Sequence, residues 1–123
     1  MTTGYLLHLI PAADFRALAP DEPHRPESLT TEGFIHCTRE PEVLVMIANQ
    51  FYRLTAGEFL VLVIDPAKVT APVKFEPPTP PPADPNDPLA PHLFPHIYGP
   101  LNRDAIVEVR TAQRAPDGTF LKV

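Results

Sequence analysis

Proline sets the tightest limit on what this chain can fold into. Eighteen of its 123 residues are proline, and more than half of these lie between Pro77 and Pro100. Each removes a backbone donor and fixes one dihedral, so a run such as "PPTPPPADPNDPLAP" stays extended and joins no central ladder. Residues 77–92 therefore read as a surface insert, and regular structure has to come from the segments on either side. A chain of 123 residues suffices for one domain with a core and is too short for two. Residues 1–123 are read as a single domain.

On the N-terminal side, "YLLHLI" (Tyr5 to Ile10) is apolar on both faces except at His8, which predicts a short buried strand ending at Pro11. "AADFRAL" predicts two helical turns, and "APDEPHRPES", with three prolines, an exposed irregular connection. "GFIHCT" predicts a strand with Phe34, His36 and Thr38 on one face and Ile35 and Cys37 on the other. "TREPEVLVMIANQFYRL" reads as the main helix, capped by Thr38, with Pro41 in its first turn and a core stripe of Val43, Ile47, Phe51 and Leu54. "EFLVLVID" is the strongest strand and should be central in its sheet, with "PVKFE" a second strand in the same region. Beyond the insert, "LFPHIYGPLN" predicts a stiff turned loop holding His96 and Tyr98. "DAIVEVRTA" and "DGTFLKV" predict a terminal hairpin turned by "APDG". About six strands and one long helix, without regular βαβ alternation, indicate an α+β domain.

Composition narrows the function classes. A net charge of −5 and ten scattered Lys and Arg residues disfavour a long nucleic-acid partner. No apolar run reaches the ~20 residues that span a bilayer. "MTTGYLLHLIP" lacks the charged start and small-residue cleavage site of a secretory signal, and a single cysteine suits a reducing compartment. A cytoplasmic location is expected. Walker loops and GxGxxG fingerprints are absent.

The chemistry rests on histidine. His8, His36 and His96 each interrupt a segment that otherwise asks to be buried. One such imidazole is ordinarily a packing residue bonded to a backbone carbonyl, but three in one small domain weaken that explanation. A zinc site could use three imidazoles, or two with Cys37. The spacing argues against it: there is no CxxC, no HxxxH on one helix face, and strand alternation sends His36 and Cys37 to opposite sides. No metal is expected. Cys37 reads as core filler rather than as a nucleophile.

The segments "YLLH", "SLTTEGFIHCT", "ANQFYR", "LVLVIDPAKV", "FE" and "FPHIYGPLN" together resemble the bacterial family designated domain of unknown function 952 (DUF952), over almost the whole chain. The chain departs from that pattern by its proline-rich insert between Glu76 and Phe94. The resemblance implies an ADP-ribosyltransferase-like fold, a split β-sheet with NAD in the cleft between two small sheets, closest to the RNA 2′-phosphotransferase branch. It places His8 and His36 at two cleft-lining positions. The third, a glutamate in many transferases and hydrophobic in this branch, has no secure counterpart here; Glu76 is a nearby acid. Arg25, Arg39 and Arg53 are candidate phosphate contacts without a motif match. The resemblance thus implies an enzyme acting on NAD or a related nucleotide through His8, His36 and His96, with Ser28, Thr38 and Tyr98 positioning the substrate. The alternative is a non-catalytic binding or sensor module that retains the cleft.

Overall fold

The computed structural model describes residues 4–123; residues 1–3, which open the segment read for a targeting signal, lie outside the described residues. In chain order the elements are β1 (Leu6–Pro11), α1 (Ala12–Arg16), α2 (Glu27–Thr31), β2 (Ile35–His36), α3 (Pro41–Tyr52), β3 (Phe59–Ile64), β4 (Val73–Glu76), β5 (Phe94–Ile97), β6 (Ile106–Thr111), β7 (Gln113–Arg114) and β8 (Phe120–Lys122). The fold is α+β, built on antiparallel sheets of strand order β1-β3-β6, β2-β5-β4 and β7-β8.

β3 is central in its sheet, as its sequence predicts, and all six of its residues are buried. The two-residue period of a strand divides them between two cores. Leu60, Leu62 and Ile64 join Leu6, Ile10, Ile35, Cys37, Ile97 and Leu101 in the layer between the two larger sheets. Phe59, Val61 and Val63 pack with Leu7, Phe120 and the α3 residues Leu44 and Ala48. The two larger sheets meet at one bridge, where Leu7 N donates to Thr38 O (2.7 Å) and Thr38 N to Leu7 O (2.8 Å).

Several expectations need correction. Thr38 does not cap α3. Its backbone is committed to Leu7, and Glu40 occupies the N-cap without a side-chain bond, ahead of Pro41 in the first turn. The buried face of α3 is Val43, Leu44 and Ala48. Phe51 is 53% and Leu54 90% exposed, because the helix ends at Tyr52 and carries the chain off the sheet there. "PVKFE" does form a strand, β4, and it pairs with β5. β6 forms the third strand of the β3 sheet, and only Gln113–Arg114 turns back to pair with Phe120–Lys122. The "APDG" turn is present and needs its glycine. Gly118 has φ +94, and a Cβ there would meet Arg53 O at 2.2 Å.

"FPHI" is a strand and not a turned loop, and it is central in its sheet despite Pro95. The ladder tolerates the proline because β2 stops beside it. Pro95 O accepts Cys37 N (3.0 Å), no N–H is available to return the bond, and β2 ends at His36. Between Glu76 and Phe94 the proline-rich segment contains no strand, and Leu89 pins it against Val43, Phe94 and the half-buried Ile47. No helix among the described residues is long and apolar enough to cross a membrane.

Candidate functional site

Register places the side chains. His36 lies opposite His96, and His96 opposite Lys74. Residues paired across antiparallel strands share a face, so these three form a row across β2-β5-β4. Alternation along each strand adds Phe34, Thr38, Tyr98 and Glu76 to the same face and sends Ile35, Cys37 and Ile97 into the core. Gly33, at φ +90, makes the turn from α2 that starts this row.

On that face the Glu76 carboxylate accepts two hydrogen bonds at Oε1, from His96 Nδ1 (2.8 Å) and from the Tyr98 hydroxyl. A carboxylate only accepts, so the His96 proton is on Nδ1 and, in the neutral ring, Nε2 carries the lone pair. Phe34 stacks on the His96 ring at 4.0 Å between centroids, and the His36 ring stands edge-on to it at 5.5 Å. His36 Nε2 lies 2.9 Å from Glu32 Oε2, and the Lys74 ammonium sits over the Tyr98 ring. The bonds from Tyr98 and then His96 hold the Glu76 carboxyl below its ordinary range, and the same carboxylate raises the Tyr98 pKa. Burial lowers the pKa of His96, against the pull of Glu76. The result is an ionised acid, an oriented imidazole and a hydroxyl beside two aromatic rings.

His8 belongs to a second group, on the other side of β2. Its Nδ1–H donates to His36 O (2.7 Å), and its Nε2 lies 3.1 Å from Nε2 of His24. A carbonyl cannot donate, so neutral His8 is protonated on Nδ1 and accepts at Nε2 from His24. Burial, followed by the neighbouring His24, lowers the His8 pKa to about 4, so the ring is neutral at physiological pH. His36 therefore joins the two groups, giving its carbonyl to one and its ring to the other.

The seam explains why His8 reaches that carbonyl. Continuing the Leu7–Thr38 register would set Leu9 opposite His36 in the next hydrogen-bonded pair. Instead the sheets part and the His8 side chain bonds His36 O. In that alternation the Leu9 peptide groups point the same way as those of Leu7, toward the parting.

The three predicted histidines do not converge on one pocket. His36, His96 and Tyr98 come together with Glu76, while His8 pairs with His24. Thr38 is buried at the seam, and Ser28 in α2 contributes its carbonyl, which receives the Glu32 and Gly33 amides. Arg39 lies over the ring of Phe75, Arg53 follows the end of α3, and Arg25 is exposed next to His24. Cys37 is buried and its thiol pKa is pushed up by desolvation, which suits packing. Sequence reasoning missed His24. The connection around it is not wholly exposed, because His24 forms a reciprocal backbone bridge with Leu101 (2.9 and 3.0 Å). A histidine between Pro23 and Arg25 shows no periodicity that could announce that contact. Among the described residues no three His, Cys, Asp or Glu side chains group as metal ligands. Surface hollows of about 440 and 490 Å³ lie elsewhere, the first between residues 53–57 and 114–118, the second around Val45, Arg110 and Leu121.

Protein CC0527 from Caulobacter crescentus has a similar fold in its crystal structure. The TM-score is 0.70 at 19% identity, covering 95% of this chain and 93% of that one, and a double mutant of the same protein gives the same values. No curated protein matches. The family described as protein of unknown function (DUF952) matches residues 9–109. The chain belongs to the DUF952 family.

Proposed function

We propose that this protein binds NAD or a related small nucleotide at the histidine face of β2-β5-β4 and acts there as an ADP-ribosyltransferase-like enzyme. The observation that carries the reading is the Glu76 carboxylate, held by His96 and Tyr98 beside Phe34 and His36. Breaking the bond between nicotinamide and ribose leaves the electron pair on a neutral nicotinamide and builds positive charge on the ribose. A fixed carboxylate stabilises that charge as it develops. The new bond forms from an acceptor oxygen, water in the simplest case, whose proton passes to Glu76 or to Nε2 of His96. The half-buried ring of Tyr98 offers a stacking surface to a pyridinium or a base, and the His36 ring offers a hydrogen bond to a ribose hydroxyl.

One observation favours the non-catalytic reading. Glu76 Oε1 already accepts from both His96 and Tyr98, and His96 is only 1% exposed beneath Phe34. A network formed without a ligand is what a binding or sensor module, or a packing motif, requires. Thermal-shift measurements with millimolar NAD, ADP-ribose and nicotinamide, together with an assay of nicotinamide release, separate these cases. The enzyme reading expects stabilisation by NAD and release of nicotinamide that His96→Gln and Glu76→Gln abolish. Stabilisation without release selects the module. No shift with any of the three removes the nucleotide reading.

A further inference from the structure

His8 and His24 stand apart from the face just described, and their arrangement goes beyond what a packing contact needs. The geometry points to a transition-metal site at this pair, with Nε2 of His8 and Nε2 of His24 as the two protein ligands of a first-row divalent cation such as zinc, its remaining positions left to water or an added ligand.

Two observations support it independently of any nucleotide reading. First, the two Nε2 atoms are 3.1 Å apart, and a cation about 2.05 Å from each would subtend an angle of about 98°, between the tetrahedral and octahedral values. Second, the outer nitrogen of His8 already makes the bond that metal-ligating histidines make. Its Nδ1–H is anchored on the His36 carbonyl, which fixes the tautomer and leaves the Nε2 lone pair free on the side where His24 stands. No third ligand is grouped with the pair among the described residues, so the two imidazoles are the protein's whole contribution to the site.

The test uses the full-length protein stripped with a chelator and kept free of nucleotide, so its failure leaves the nucleotide reading untouched. Zinc chloride, and cobalt chloride for its visible absorption, are titrated at pH 7.5. The expected result is one equivalent of saturable binding that weakens at least tenfold in His24→Phe and in His8→Gln and is unchanged in His92→Gln. The His24–Leu101 bridge is made by backbone atoms, so His24→Phe should keep the fold, checked by circular dichroism; His24→Asn serves if it does not. Absence of saturable binding in the wild type, equal binding in the His24 variants, or loss of binding through His36→Gln while His24→Phe retains it would each overturn the proposal.

Discussion

In the β1-β3-β6 sheet the central strand is Phe59–Ile64, six apolar residues buried on both faces. In the β2-β5-β4 sheet the central strand is Phe94–Ile97, four residues that include a proline and a histidine. The first sheet buries hydrocarbon on both sides, between α3 and the second sheet. The second buries Ile35, Cys37 and Ile97 on one side, while on the other Phe34, Phe94 and His96 are buried and His36, Lys74, Glu76 and Tyr98 reach solvent. Stability and candidate chemistry are thus divided between two ladders stitched by a single bridge at Leu7 and Thr38.

Changes should separate along the same line. The largest effect is expected in the first sheet: Leu62, fully buried, replaced by alanine should lower unfolding free energy by about 4 kcal/mol in urea titration. A much smaller loss would mean that β3 is not the stabilising centre. Next comes the buried imidazole at the seam. Its pKa is lowered from 6.5 to about 4, so between these values the unfolded chain binds the proton and the folded one does not. Stability should therefore fall as the pH drops from 6.5 to about 4, by about 3 kcal/mol in all, and level off below. His8→Gln should flatten that dependence; an unchanged slope would assign it to other groups.

On the outer face of the second sheet the expectation reverses. Glu76 is partly exposed, so Glu76→Gln should leave the urea midpoint of unfolding nearly unchanged while weakening NAD binding at least tenfold. A large loss of stability with binding intact would make the network structural. The smallest effect belongs to Leu54, 90% exposed beyond the end of α3. Leu54→Ser should cost under ~0.5 kcal/mol, and a larger loss would restore Leu54 to the core stripe that the sequence periodicity suggested.

What the sequence discloses follows from how local the determining physics is. β1 and β3 are legible because strands buried on both faces read as continuous apolar runs. The alternation in "GFIHCT" separates His36 from Cys37 correctly, since it needs only the period of a strand. Proline alone suggests a turned loop at β5; that Pro95 falls where β2 has already ended is a fact of pairing, invisible in either segment alone. Val43, Ile47, Phe51 and Leu54 fit a helical period as well as Val43, Leu44 and Ala48 do, and only the position of β3 selects between the two stripes. Glu76 and His24 enter their clusters through contacts 20 and 16 residues away in sequence. No spacing rule encodes those.

The most direct measurement is nuclear magnetic resonance of the histidine ring protons during titration with NAD. If the outer face of β2-β5-β4 is the binding site, the His36 and His96 signals shift together and saturably while His92 stays in place. No saturable shift, or a shift confined to His92, would show that the face described here does not bind the nucleotide.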